Sequence, residues 1–402
     1  MSALPDNTVA RRPFVLWILN GCGMESGSIT GGPVRFHEIA LRWTRLGRCE
    51  QQLLTTAGGE GMLRRMGCTL PMHRVRASLV ARREWFRAQR LWSYLLASWC
   101  APRVVRRLPP ADVVITVSDY FCDIVPALAA KRRAPGSRWI AWVHHQELPP
   151  AQRPGNRWQN MLAWQMQQWS FRRIARSADQ AWVLDSDAGD QVRAQLLALG
   201  MPAERIRSMR NGIDQQVICA VPEPAQKRVD AIMVGVRPNK GLHDIIPVWQ
   251  EVQRLRPGTT LRLMGGMSGE QATLEEIRRC GLERVIEVFR APGGYLPPAE
   301  YYAKLKDGRV LFAPSHEEGW GIAVCEAMAC GVPVVAWDLP VYRRIYGQAF
   351  RAVPCFDHAV FARQLVDMLE NATAFQQQLH AGLQTAERYA WEAIAREDGE
   401  AL

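Results

Sequence analysis

The 402-residue chain has little lysine, no paired-cysteine motif and no long apolar run, and each shortage narrows the reading. Only five of its 50 basic residues are lysine, so a formal net charge of +11 rests almost wholly on arginine. Ten cysteines lie scattered from Cys22 to Cys355 without a CxxC pair or a dense framework. That pattern reads as reduced thiols and excludes a small disulfide-stapled scaffold. Arg11 and Arg12 precede an apolar run of only six residues, Phe14–Leu19, with no clean small-residue cleavage site behind it, so a buried first strand is expected in place of a signal peptide. The next apolar stretch, Leu91 to Ala101, falls well short of the roughly 20 residues a spanning helix needs. A cytoplasmic chain that does not cross the membrane is the expectation. No His/Asp/Cys cluster has ligand spacing, so no metal is expected. Internal repeats and low-complexity tracts are also missing.

What is present is enough apolar material, 48%, for two to three domains with their own cores. The charge is lopsided. Up to residue 205 there are 28 basic and 15 acidic residues, against 22 and 24 in the remainder, and residues 61–110 hold eleven arginines and one acid, Glu84. An anionic partner is therefore expected for the first half.

Strand, loop and helix alternate along the chain. Phe14–Leu19 ends at Asn20-Gly21, a glycine-rich loop runs to Gly32, and Val34, Ile39, Leu41, Trp43 and Leu46 approximate helical spacing until Gly47. Val113–Val117, Trp139–Val143 and Ala181–Leu184 read as buried parallel strands separated by helix-length segments. A second series follows Asn211-Gly-Ile-Asp214 and Pro222-Glu-Pro224: strands at 231–234, 261–264, 285–289, 310–312 and 333–336, with helices over 243–256, 270–280, 297–306, 322–330 and 357–371. Two α/β halves with a boundary near 205–225 result.

The richest stretch is Pro314-Ser-His-Glu-Glu-Gly-Trp-Gly-Ile-Ala-Val-Cys-Glu-Ala-Met-Ala-Cys-Gly-Val-Pro-Val-Val335. Gly319 and Gly321 let the backbone approach a ligand, and the amides of Trp320, Gly321 and Ile322 open at a helix N-terminus, a favourable place for phosphate. Glu318 and Glu326, eight residues apart, can bracket one ligand. A carboxylate accepts two neighbouring hydroxyls, which suits Glu326 to a ribose diol and Glu318 to a sugar.

This segment resembles the retaining glycosyltransferases of family 4, with their Glu-x7-Glu motif inside E-G-[FW]-G-x-x-x-x-E-A-M-A-x-G-x-P-V-V. The resemblance runs from Val15 to about Ala395 and implies a GT-B fold, two Rossmann-like domains facing across a cleft. It implies an acceptor-binding domain over 1–205, a nucleotide-sugar domain over 206–384 and a terminal helix over about 385–402 that packs back on the first domain. It also implies that Glu318 contacts the donor sugar, Glu326 the ribose, and the backbone of Gly319, Trp320, Gly321 and Ile322 the donor. Gly31-Gly32 corresponds to the family's glycine pair near the diphosphate, and His144, with His145 second, to its histidine near the sugar. Val234-Gly235-Val-Arg-Pro-Asn-Lys-Gly241 is similar to the family's phosphate loop. By that likeness Arg237 and Lys240 neutralise the diphosphate as the leaving group gains charge. The family pattern has the arginine directly after the glycine and the lysine five residues later; here Val236 intervenes and only Pro238 and Asn239 separate the two cations. Asn211–Asp214 matches the interdomain junction and Tyr389-Ala-Trp391 the start of the terminal helix.

The implied reaction is transfer of a sugar from a nucleotide diphosphate, UDP or GDP, to the hydroxyl of a glycan or lipid-linked acceptor, with no bound cofactor. Polysaccharide, lipopolysaccharide or glycolipid synthesis is the implied setting. The competing readings are an epimerase or phosphorylase on the same fold, and a non-catalytic membrane or nucleic-acid binding protein. A retaining hydrolase needs two close carboxylates, which are not evident around the motif. Gly21-Cys-Gly-Met-Glu-Ser-Gly27 is a poor dinucleotide fingerprint, its third glycine being one residue late. Arg74–Leu96 mixes arginine with Trp85, Phe86, Trp92 and leucines at helical spacing. Across 74–107 this reads either as an ordinary amphipathic helix or as a surface lying on an anionic membrane, with Arg82, Arg83, Arg87 and Arg90 facing membrane or acceptor. Arg153 to Arg176 adds a second basic, tryptophan-rich segment. Nucleic acid is the least favoured partner, since no binding motif accompanies the charge. The location expected is cytoplasmic, with the option of a peripheral place on the inner membrane face.

Overall fold

The computed structural model describes residues 11–21, 31–77, 87–144, 146–147, 149–152, 156–267, 269–291 and 295–402. His145, Arg82, Arg83 and Arg153 lie outside them, as do the side chains of Arg87 and Arg90. The chain divides into two compact units: 1–183 with 192–207 and 395–402, and 184–191 with 208–394.

The first unit is built on a seven-stranded sheet of order β3-β2-β1-β4-β5-β6-β7 with parallel neighbours from β3 to β6. Along the chain it runs β1 (Phe14–Leu19), α1 (Gly31–Arg45), β2 (Glu50–Thr56), α2 (Ala57–Arg65), β3 (Met72–Val75), α3 (Arg87–Val105), β4 (Val113–Thr116), α4 (Phe121–Arg133), β5 (Arg138–Val143), α5 (Arg157–Ser177), β6 (Gln180–Leu184), α6 (Asp187–Ala198) and β7 (Ile206–Met209). All six residues of β1 are buried, the mark of a strand covered on both faces. On one face Phe14, Leu16 and Ile18 meet Ala97, Ala101 and Val105 of α3, Ile124 and Ala127 of α4, and Phe171 and Ile174 of α5. On the other, Trp17 packs edge-on to Phe36 and Trp142, 5.1 and 5.4 Å between ring centres, and tilted against Trp43 at 5.3 Å. Phe36, Ile39, Ala40 and Trp43 supply the inner stripe of α1 at i, i+3, i+4 and i+7.

The helical reading of Arg74–Leu96 is corrected at its start. Arg74 and Val75 belong to β3, paired with Thr55 and Thr56 of β2, and helix α3 is formed from Arg87. A short edge strand with one buried residue carries too little alternation to compete with a helical pattern on sequence alone.

The second unit holds a six-stranded sheet of order β10-β9-β8-β11-β12-β13. Its elements are α7 (Gln215–Ala220), β8 (Val229–Val236), α8 (Ile245–Leu255), β9 (Leu261–Met267), α9 (Glu270–Arg279), β10 (Ile286–Phe289), α10 (Pro298–Lys306), β11 (Gly308–Ala313), α11 (Ile322–Ala329), β12 (Val334–Trp337), α12 (Pro340–Tyr346), β13 (Arg351–Val353), α13 (His358–Glu370) and α14 (Ala372–Ala386); α15 (Trp391–Gly399) ends the chain. Every neighbouring pair in this sheet is parallel. Strand order reverses between β8 and β11, so the loops leaving their carboxyl ends frame the crevice where such sheets bind ligands. The Asn211–Asp214 junction pairs with the segment before α15: Ile213 N donates to Tyr389 O at 2.8 Å and Trp391 N to Ile213 O at 3.1 Å.

Candidate functional site

The second unit places Arg237 and Lys240 on the loop after β8, Glu318 to Gly321 on the loop after β11, and Ile322 and Glu326 on α11, and it pairs Lys240 with Glu318. Sequence local to β8 makes the first loop. Val236 ends the strand, Pro238–Lys240 form one 3-10 turn, and Gly241 closes it at φ 84°. A Cβ on Gly241 would lie 2.1 Å from the Pro314 carbonyl oxygen, so this glycine lets the two loops touch. The Asn239 carbonyl accepts from His316 N at 3.0 Å and Glu317 N at 3.2 Å, joining them further.

Lys240 Nζ and Glu318 Oε1 form an ion pair, with side chains 19% and 10% exposed. Ser315 Oγ and Tyr342 OH, 3.3 and 3.4 Å away, donate to the same carboxylate oxygen. Arg237 lies beside Gly235, and its buried Nε makes no hydrogen bond among the described residues. It therefore keeps donor capacity for an anion.

Gly321, at φ 88°, is the N-cap of α11, and a Cβ there would sit 2.7 Å from a Tyr342 ring carbon. Tyr346 OH holds this turn through the carbonyls of Trp320 and Gly321, at 3.2 and 2.8 Å. The Trp320 side chain is buried edge-on to Tyr346 and Tyr389, so its contribution to a ligand is restricted to its backbone. At the start of α11 the Val324 and Cys325 amides turn back to the Gly321 carbonyl at 2.9 and 3.3 Å, which leaves the amides of Ile322 and Ala323 without an acceptor in their own helix. Glu326, one turn in, accepts from Tyr301 OH at 2.8 Å and Tyr302 OH at 3.3 Å. Burial pushes the Tyr301, Tyr342 and Tyr346 phenols well above their ordinary range, which keeps all three as hydrogen-bond donors.

The sequence reading missed these tyrosines and a further clamp. Buried Asp244 lies 2.5 Å from His316 Nε2 and 2.8 Å from His358 Nε2, linking the loop before Glu318 to the first turn of α13. Tyr301 and Tyr302 were at least on an expected helix, 297–306. Nothing local marks Asp244, because its partners lie 72 and 114 residues away.

In the first unit the structure places Gly31 and Gly32 at the start of α1 and His144 after β5. A Cβ on Gly32 would lie 3.3 Å from His144 Nε2, which in turn sits 2.8 Å from the Val117 carbonyl oxygen. Gln167 steadies the loop after β5, accepting from Glu147 N and donating to Asp119, both at 2.8 Å. After β1, Asn20 N and Gly21 N donate to Asp123 Oδ1 at 2.6 and 3.2 Å, and Ser118 Oγ donates to Oδ2 at 2.5 Å. Burial raises this carboxyl to about 7 despite those bonds. The folded form thus holds a proton that the unfolded chain releases near its ordinary 3.8, so the stability Asp123 adds by protonation is complete below 3.8 and is lost as pH rises to about 7. Melting temperatures followed from pH 4 to pH 8 are expected to fall more in wild type than in Asp123→Asn; parallel profiles would refute it.

Among the described residues, no group of three His, Cys, Asp or Glu is placed to hold a metal ion. No described helix is long and apolar enough to cross a membrane. Nine cysteines among the described residues are free thiols.

Two parallel-sheet, Rossmann-like α/β domains define the class, the GT-B fold. Over 97% of the chain, it superposes on an Anabaena protein, HepE, solved with UDP and glucose, at TM-score 0.69, 16% identity and 99% coverage of that chain. Sucrose-phosphate synthase from Thermosynechococcus elongatus gives TM-score 0.70 and 16% identity, covering 97% of this chain and 98% of that one. More particularly, residues 215–384 match the model of the family described as Glycosyl transferases group 1. A phosphatidyl-myo-inositol mannosyltransferase of Mycobacterium leprae is 29% identical over 211 residues, 50% of this chain and 54% of that protein. A D-inositol 3-phosphate glycosyltransferase of Segniliparus rotundus is 28% identical over 177 residues, 42% and 38% of the two chains. The chain thus spans about half the length, or less, of these curated relatives.

Proposed function

We propose that the protein is a retaining glycosyltransferase of family 4 type that moves a hexose from a nucleotide-diphosphate sugar to an acceptor hydroxyl. The observation that carries this reading is the pairing of Lys240 with Glu318 at the strand-order reversal of a group 1 domain. A cation aimed at phosphate and a carboxylate aimed at sugar hydroxyls stand side by side there. Glu326, eight residues on, takes the ribose diol, and the Gly319–Ile322 backbone meets the donor at the start of α11.

In the transfer, the bond from the anomeric carbon to the phosphate oxygen breaks and its electron pair stays with the phosphate. Lys240 and Arg237 stabilise that charge as it forms. The acceptor oxygen bonds to the anomeric carbon, and its proton passes to the departing phosphate. Front-face displacement of this kind needs no protein base. Glu318 and His144 position the sugar, and Gly31-Gly32 receive the diphosphate. The named partners of the similar proteins, UDP in one and inositol lipids in another, favour UDP as nucleotide and a glycan or lipid-linked acceptor. We place the protein in the cytoplasm, peripheral on the membrane, in polysaccharide, lipopolysaccharide or glycolipid synthesis.

A panel of UDP- and GDP-sugars read by thermal shift, followed by product analysis with and without acceptor, tests the reading. One or more donors are expected to raise the melting temperature, and Glu326→Ala to abolish most of that rise. Full donor affinity in Glu326→Ala would overturn the site, and an epimerised or phosphorolysed donor would overturn the reaction.

A further inference from the structure

Helices α3 and α5 lie in one layer, sharing a core with α4: Ala97, Ala101 and Val105 point inward from one, Phe171, Ile174 and Ala175 from the other. Their outer faces are of a different kind. On α3 the exposed stripe is Trp92 (69% exposed), Leu95, Trp99 (68%), Arg103 and then, just past its end, Arg106, at spacings that keep one helix face. On α5 it begins with Trp158 (84%), Met161 and Leu162 and ends with Arg172 and Arg176. Neither helix contains a single Asp or Glu over its 19 and 21 residues. Arg103 CZ lies 4.6 Å from the Trp99 ring centre, and no carboxylate among the described residues pairs with it.

In both helices exposed apolar side chains are followed by exposed arginines further along, and each helix also opens on an arginine, Arg87 or Arg157. Each helix leaves the carboxyl edge of one parallel strand and returns to the amino edge of the next, so the apolar ends sit at the same edge of the layer. The arginines follow roughly 6 to 15 Å further along each axis, at about 1.5 Å per residue. Exposed tryptophan and aliphatic side chains flanked by arginines, on helices free of acids, match the boundary of a bilayer, where apolar groups enter the acyl region and cations meet anionic headgroups.

We infer that the outer faces of α3 and α5 form a docking surface for an anionic phospholipid bilayer. Leu95, Met161 and Leu162 separate this partner from nucleic acid, because aliphatic side chains offer bases no stacking face whereas they gain by leaving water for lipid. The surface gives residues to the peripheral-membrane reading above and rests on that reading alone, not on the donor site.

Co-sedimentation of the full chain with vesicles tests it. Vesicles of equal parts phosphatidylglycerol and phosphatidylcholine are expected to carry the protein down, and phosphatidylcholine alone not to. Trp92→Ser with Trp99→Ser and Trp158→Ser, all solvent-exposed sites, is expected to lower the bound fraction at least tenfold; glutamine at Arg103, Arg106, Arg172 and Arg176 is expected to lower the partition coefficient by about 10²–10³, since each basic residue near the surface contributes about 1 kcal/mol. UDP-glucose thermal shifts without vesicles should be the same in all three proteins, which separates loss of docking from loss of the donor site. Absence of wild-type binding to the anionic vesicles, undiminished binding by both variants, or tighter binding to oligonucleotides lost in the same variants would overturn the inference.

Discussion

Lys240→Met is expected to lower kcat/KM for the donor by about 10²–10³, the range found when one preorganised donor to a developing oxyanion is removed. The ammonium has three donors and no acceptor, so it can keep its contact with Glu318 and still reach a phosphate oxygen. Methionine preserves most of the stem while deleting the charge. It also leaves the Glu318 carboxylate, 10% exposed, facing an incoming diphosphate with only Ser315 and Tyr342 to satisfy it. Two losses therefore coincide, neutralisation of the leaving group and repulsion of the donor, and kcat and KM should both worsen.

Glu318→Gln is expected to act differently, lowering kcat while disturbing donor affinity less, because the amide keeps one acceptor for the sugar and removes the repulsion. Since the two side chains form one ion pair, the double variant should fall short of the product of the single effects by about tenfold, as coupled contacts do. Steady-state kinetics on the four proteins, with far-UV dichroism to verify folding, decide the matter. A kcat/KM within twofold of wild type for Lys240→Met would remove Lys240 from the site.

Why was this site so readable, and the rest of the molecule less so? Its parts are loops whose local sequence dictates their shape: glycines at 241 and 321 in left-handed backbone, Pro238 opening a turn, a strand before and a helix after. The apolar runs at β1, β5 and β12 were legible for a similar reason, each being buried along nearly its whole length. β2 escaped notice because Glu50-Gln-Gln-Leu-Leu-Thr-Thr looks half polar. Two of its polar side chains are inside and spoken for, Gln51 by Trp17 Nε1 at 2.8 Å and Thr55 by the Leu19 carbonyl at 2.6 Å. β3 and β13 lie at sheet edges and are short. The tyrosines on Glu318 and Glu326, and Asp244 with its two histidines, depend on contacts between segments distant in sequence. A local pattern cannot carry such information.

The largest stability effect is expected at another such long-range pair. Arg35 is fully buried on α1, with its Nη2 2.5 Å from Asp398 on α15 and its guanidinium carbon 4.3 Å from the centre of the Trp142 ring. Both residues belong to the first unit, separated by 363 positions in sequence. Burial pushes the Asp398 carboxyl up and the Arg35 guanidinium down, each working against their mutual attraction. Arginine nonetheless stays ionised, its free value lying far above neutrality. Asp398→Asn removes the counter-charge and strands that cation in an aromatic interior. The cost of breaking a buried pair from one side is about 3–5 kcal/mol, or ~10 °C in the melting of a unit this size. Arg35→Met with Asp398→Leu removes both charges and fills the space, and should recover most of the loss, since desolvating an ion pair consumes much of what it gains. The pair's contribution would then lie in fixing where the chain end docks. Trp43 Nε1, donating to the Ala395 carbonyl at 2.8 Å, and Arg48, donating to that of Gly399 at 3.1 Å, hold the same helix. Calorimetry on the single and double variants checks this. Equal losses in Asp398→Asn and the double variant would mean that the ion pair itself, not the isolated charge, sets the stability.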